Sequence, residues 1–134
     1  MFVVDASITL AWCFDDETSE RADAILPRLI EEGGIAPAHW PIEVANALRS
    51  AAQSGRADDR TLRRADEIVR ELPIEVRPVE VSTALGLIRP ALEHHLTVYD
   101  EAYLDLADSL GLAVATLDER LASACRNVGV PLIA

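Results

Sequence analysis

A chain of 134 residues, half of them hydrophobic but only 4% aromatic, is long enough for one domain with a proper core, built mainly from Ala, Val, Leu and Ile. Its 23 acidic and 12 basic side chains give a formal net charge of −11. That argues against passive binding to polyanions, but not against a nuclease whose metal-holding acids contribute negative charge themselves. All twelve basic residues are arginine, which excludes Schiff-base chemistry, the P-loop and lysine-dependent receiver domains.

Cys13 and Cys125 form no C-x-x-C pair, and a reduced, cytoplasmic setting is the simplest reading. Asp5 interrupts the first apolar run and no basic region precedes it, so no signal peptide is expected. No segment is apolar enough to span a bilayer.

In chain order, residues 2–4 read as a short buried strand, and Ser7 as the N-cap of a helix reaching Phe14. Asp15 to Ser19 opens a second helix, with Ala22, Ile25, Leu26, Leu29 and Ile30 at helical spacing and Pro27 as a perturbation. Gly33-Gly34 ends it, and Ile35-Ala36 is a second strand. Trp40 to Gln53 is a helix with Pro41 in its first turn and Trp40, Val44, Ala47, Leu48 and Ala51 on one face. Asp58-Asp59 opens a helix through Glu71, with Leu62, Ala65, Ile68, Val69 and Leu72 inward. Ile74–Val76 reads as a third strand.

Val81 to His94 reads as one helix with Val81, Leu85, Ile88 and Leu92 inward, against a local conflict at Pro90. Asp100–Leu110 is a helix ended by Gly111, and Leu112–Ala115 a strand. Glu119–Asn127 is the last helix and Pro131–Ile133 a closing strand. Strands alternating with helices predict an α/β fold, a parallel sheet covered on both faces. The binding crevice of such a sheet lies at the carboxyl ends of its strands, where Asp5 and Asp118 both fall.

Four acids stand where the hydrophobic pattern predicts partial burial: Asp5, Glu43, Asp100 and Asp118. Each also has an ordinary explanation. Asp5 suits a cap or turn, although Ser7 could cap the same helix. Glu43 could snorkel or pair with Arg49. Asp100 favours a helix dipole, a service Glu101 could also supply, while Asp105 points to solvent and Asp108 is a weaker candidate. Thr116-Leu117-Asp118-Glu119 matches a capping box with Thr116 as the cap. Those explanations leave the joint placement at strand ends and helix starts unaccounted for. Desolvated carboxylates are costly unless paired, and a hard divalent cation is the natural partner of clustered oxygen ligands.

Several stretches together resemble the PIN-domain ribonucleases, and most closely the VapC toxins of prokaryotic toxin–antitoxin pairs. They are Val3-Val4-Asp5-Ala6-Ser7, then Pro41-Ile42-Glu43-Val44-Ala45-Asn46-Ala47-Leu48, then Val98-Tyr99-Asp100-Glu101-Ala102-Tyr103-Leu104-Asp105-Leu106-Ala107, and Ala115-Thr116-Leu117-Asp118-Glu119-Arg120-Leu121. The Y-D-x-x-Y-L-x-L-A stretch is the most specific of these. The resemblance implies one PIN domain over residues 1–134, a three-layer α/β/α fold with a short, mainly parallel sheet. It implies a metal-dependent endoribonuclease using Mg²⁺, or Mn²⁺, to cut single-stranded or structured RNA. It also implies a homodimer and a cognate antitoxin whose tail occupies the acidic pocket. By that likeness Asp5, Glu43, Asp100 and Asp118 are the catalytic acids, and Ser7 or Thr9, together with Thr116, supply hydroxyls that help hold metal-bound water.

The residues admit a matching chemistry: in-line attack by a metal-activated water on a phosphodiester, leaving 5′-phosphate and 3′-hydroxyl ends. Asp5 and Asp100 are the expected direct ligands. Asp118 ligates directly or through water, and Glu43 orients the water or binds a second ion. Six arginines at 49, 56, 60, 63, 64 and 70 are mixed with four acids, so a solvated, internally paired helical face is expected ahead of an RNA-guiding rim. His39, His94 and His95 show no metal spacing, and Trp12 and Trp40 read as core or dimer contacts. A haloacid-dehalogenase-type phosphatase would need a second Asp two residues after Asp5, where Ser7 stands. The remaining alternative is a catalytically silent PIN-like scaffold that binds a protein.

Overall fold

The computed structural model describes residues 1–15 and 19–133. Four strands, β1 (Phe2–Val4), β2 (Gly34–Pro37), β3 (Ile74–Arg77) and β4 (Val114–Ala115), form one parallel sheet in the order β3-β2-β1-β4. Between and after them run α1 (Ala6–Cys13), α2 (Glu20–Glu32), α3 (Trp40–Gln53), α4 (Asp59–Glu71), α5 (Val81–Leu85), α6 (Ile88–His94), α7 (Val98–Leu110) and α8 (Glu119–Val128).

The three layers follow from side-chain alternation along the buried strands. In β1, Val3 joins a core with Trp40 and Val44 of α3, Leu104 and Ala107 of α7 and Leu121 of α8. Its neighbours Phe2 and Val4 point the other way, into a core with Ile8, Ala11 and Trp12 of α1 and Ile25 and Leu29 of α2. Val114 and Ala115 of β4 divide in the same manner. A strand buried on both faces must read as an uninterrupted apolar run, as β1 does. Gly34 lets α2 close on the sheet, since a Cβ there would lie 2.6 Å from Leu29 Cδ1 and 2.9 Å from Val4 Cγ2.

Several local expectations change. Helix α1 is capped by Asp5, which accepts from Ile8 N at 3.1 Å, and not by Ser7. The difference is one of geometry: Asp5 has the extended backbone of a cap, whereas Ser7 lies inside the helix with its hydroxyl free to reach across the sheet. Ser19 caps α2; of the expected start at 15–19, residues 16–18 lie outside the described residues. Pro27 sits inside α2 on its exposed side, and Ile30 is also exposed. The helix expected over 81–94 breaks at Gly86-Leu87, which places Pro90 in the first turn of α6, where proline is tolerated. The break rotates Leu87 and Ala91 inward and leaves Val81, Leu85, Ile88 and Leu92 exposed, the reverse of the expected face. The closing strand contracts to a single parallel bridge, Val114 to Leu132.

Trp12 and Trp40 are both core residues, their indole N–H groups bonded to Ala22 O at 2.8 Å and Thr9 Oγ1 at 3.1 Å. Cys13 and Cys125 are buried and make no disulfide. Arg64 pairs with Asp15, Arg70 with Asp66 across one helical turn, and the Arg56 guanidinium lies 4.0 Å from the centre of the Phe14 ring. Of these contacts only Arg70–Asp66 is the internal pairing expected for the arginine-rich stretch; Arg64 and Arg56 instead reach the segment that follows α1. Among the described residues no helix is long and apolar enough to cross a membrane.

Candidate active site

Each of the four acids stands at the start of a helix. Asp5 caps α1 directly after β1, and Asp118 caps α8 after β4, accepting from Arg120 N at 2.8 Å and Leu121 N at 3.1 Å. Glu43 lies in the first turn of α3, which follows β2, and Asp100 in the first turn of α7. The partial positive charge of a helix N-terminus offsets some of the cost of holding a carboxylate out of water. The parallel topology sends all these N-termini to one edge of the sheet.

Asp118, not Thr116, is therefore the cap of α8, and the expected capping box does not form. Glu119 turns outward to Arg126 at 2.8 Å. The Thr116 hydroxyl is occupied elsewhere: it donates to Asp5 Oδ2 and accepts from Asp118 N at 2.9 Å. Ser7 Oγ donates to Asp5 Oδ1 at 2.7 Å, accepts from Leu117 N at 2.9 Å and lies 3.3 Å from Thr116 Oγ1. The two hydroxyls thus tie the end of β1 to the segment leaving β4, and they hold the Asp5 carboxylate in one orientation. Thr9 instead donates to the Asp5 carbonyl at 2.8 Å, fully buried, so Ser7 is the one of that pair that touches the carboxylate.

Asp5 is only 4% exposed. Burial pushes its carboxyl up to about 6, against the hydrogen bonds from Thr116, Ser7 and Ile8, and the charge of Glu43 pushes the same way. Glu43 is raised by burial, opposed by its bond from Tyr103, and raised further by Asp118. Asp100 is raised by burial and then by Asp118 and Glu43, opposed by Thr97 and Arg120. Repulsion therefore couples Glu43, Asp100 and Asp118 to one another and Asp5 to Glu43, and Asp105 and Asp108 stay exposed on α7.

Two aromatic neighbours of Glu43 escape a reading by acids alone. Tyr103 is buried and donates its hydroxyl to Glu43 Oε1 at 2.8 Å. Burial and then the Glu43 charge push its phenol well above the usual range, so it remains a donor. His39 follows the end of β2, and its Nε2 lies 3.7 Å from Glu43 Oε1 with no hydrogen-bond partner among the described residues. Burial lowers its basicity, opposed by Tyr99 and Asp100. The available signal was spacing: His39 and Glu43 are one helical turn apart, and Tyr103 is three residues beyond Asp100. A different pair joins α6 to α7, the half-buried His94 Nδ1 to the buried Glu101 Oε2 at 2.8 Å, so Glu101 serves packing rather than the dipole alone.

Among the described residues no three His, Cys, Asp or Glu side chains converge closely enough to enclose a metal unaided. That still fits Mg²⁺, which keeps several waters and takes only one or two carboxylates directly. The donors are all hard oxygens, and their shared repulsion calls for a positive charge.

Comparison with known proteins gives this arrangement a family. The PIN domain model matches residues 2–127. Ribonuclease VapC3 of Mycobacterium tuberculosis is 33% identical over 91% of this chain and 85% of its own length. A second protein named Ribonuclease VapC3, from Pyrobaculum aerophilum, is 35% identical over 90% of this chain and 91% of its own. The crystal structure of PAE2754 from Pyrobaculum aerophilum superposes with a TM-score of 0.68 at 26% identity, covering 92% of this chain and 84% of that one. The chain belongs to the PIN-domain family, within its branch of VapC ribonucleases.

Proposed function

We propose that this chain is a VapC-type endoribonuclease, the toxin of a toxin–antitoxin pair. It would act in the cytoplasm as a homodimer and be restrained by a cognate antitoxin whose tail fills the acidic cleft. The observation that carries this reading is the meeting of four carboxylates at the helix starts of one sheet edge, in a chain whose relatives are named ribonucleases.

Asp5, Asp100 and Asp118 would hold Mg²⁺, or Mn²⁺, directly or through water. When bound, the ion supplies positive charge to the phosphate and acidifies coordinated water. The remaining roles fall to the chain itself. Ser7 and Thr116 fix the Asp5 carboxylate by hydrogen bonds to both its oxygens. Glu43 orients the attacking water in line with the leaving 3′-oxygen, and Tyr103 holds Glu43 in place. The water oxygen bonds to phosphorus, the P–O3′ bond breaks, and the products carry 5′-phosphate and 3′-hydroxyl ends.

The test is cleavage of single-stranded RNA by the purified chain in Mg²⁺, with the ends typed enzymatically. Products with 2′,3′-cyclic phosphates would remove this mechanism, and intact RNA would favour the silent PIN-like scaffold. Tyr103→Phe probes the support of Glu43. It removes one donor without changing ring packing, so kcat is expected to fall roughly 10- to 100-fold with KM little altered. A variant with full kcat would show that Glu43 needs no such support.

A further inference from the structure

Beside the acids runs a groove of about 340 Å³, lined by His39, Val79, Leu87, Val98, Tyr99 and Ala102 among others, none of them an acid or an arginine. We propose that this groove receives an unpaired nucleobase of the RNA next to the cut, stacked on Tyr99. The inference rests on the ribonuclease reading and adds to it a place where the substrate is held by something other than charge.

Its position comes first. Tyr99 immediately precedes Asp100, and His39 stands one helical turn before Glu43, with its Nε2 3.7 Å from that carboxylate. The groove therefore adjoins the acids through His39 and Tyr99. The aromatic arrangement comes second. The His39 ring lies 5.3 Å from that of Tyr99, tilted, and 4.9 Å from the buried Tyr103, edge-on. Tyr103 backs His39 and His39 backs Tyr99, yet Tyr99 remains 63% exposed. A supported ring left open is what a base needs for stacking, and sequence-tolerant single-strand binding is built from such rings.

Charge comes third. A chain with a formal net charge of −11 and a cleft of repelling acids gains little from phosphates beyond what a metal neutralises. A groove without acids attracts the uncharged part of the nucleotide and is not opposed by that repulsion. A second copy or an antitoxin segment is the rival occupant, and the experiment separates it.

Binding is measured by anisotropy with a fluorescein-labelled pool of short, randomised single-stranded oligoribonucleotides in Mg²⁺, on full chains carrying Asp5→Asn so that nothing is cut. Adding Tyr99→Ala is expected to weaken binding roughly 5- to 100-fold, and Tyr99→Phe to keep it within about two-fold of the parent. Tyr99→Leu, which retains apolar bulk without a ring face, should bind like the alanine variant and serves if that variant misfolds by circular dichroism. In parallel, the chain with native Asp5 is incubated with the same pool and the ends are sequenced, with and without Tyr99→Ala. The nucleotide preference on one side of the cut is expected to flatten. No cleavage by the native chain would sink the ribonuclease reading and this inference with it. Cleavage with unchanged binding and unchanged end preference would sink the stacking site alone. Loss of the native oligomeric mass on gel filtration with RNA binding intact would assign Tyr99 to a protein partner instead.

Discussion

Asp5→Asn is expected to abolish RNA cleavage while making the metal-free protein more stable at neutral pH. The loss should be at least about 10³-fold, because the change would remove one of the three carboxylates proposed to hold the ion. The gain has a separate origin. Asp5 is buried and its carboxyl is pushed up to about 6, so at pH 7.5 folding forces a charge into surroundings that favour the neutral acid. A group raised in this way stabilises the fold fully at pH values below its unfolded pKa and loses that contribution as pH rises through about 6. Asparagine carries no such charge, and the relief should be on the order of 1–3 kcal/mol, less what Thr116 loses as a donor. Thermal melts in EDTA check both parts. The variant should melt above the native chain at pH 7.5, and the gap should close as pH falls from 7 towards 4. A gap of constant size across that range would mean that burial of the Asp5 charge is not its cause.

Chelation of divalent ions is expected to have the second large effect. Activity should fall by about 10³-fold or more in EDTA and return with Mg²⁺ or Mn²⁺. The same ions should raise the melting temperature of the native chain, since whatever binds only the folded state stabilises it, by about 2.7 kcal/mol at a hundred times Kd. Asp100→Asn should blunt that rise, because Asp100 sits in the same field as Glu43 and Asp118. A chain that cuts RNA equally well in EDTA would overturn the metal-dependent reading, and so would one whose melting temperature ignores Mg²⁺ at every concentration that supports cleavage.

The two effects share a physical root. Four parallel strands feed helices whose N-termini reach one sheet edge, and each N-terminus in the cleft carries an acid. Helix dipoles and local caps make each acid tolerable singly. Together they repel, and on the proposed function the stability so lost would be recovered when a cation binds, a trade familiar where function requires strain.

What the sequence determined by itself was whatever depends on near neighbours along the chain. Alternation and apolar runs located β1 and β2, and proline and glycine bounded α3 and α7, because those signals act within a few residues. The four acids were legible for the same reason, each standing beside a strand end or a helix start. Tertiary structure decided which hydroxyl serves which acid. Ser7 and Thr116 each satisfied a local capping rule, and both were drawn away by hydrogen bonds spanning more than a hundred residues. It likewise decided the face of residues 81–94, where a break at Gly86-Leu87 turned the expected stripe to solvent. It also brought Tyr103 of α7 against Glu43 of α3, whereas His39 reaches Glu43 within one turn of the same helix start. Periodicity is a property of one helix; the partner of a buried carboxylate is chosen by the sheet that brings distant segments together.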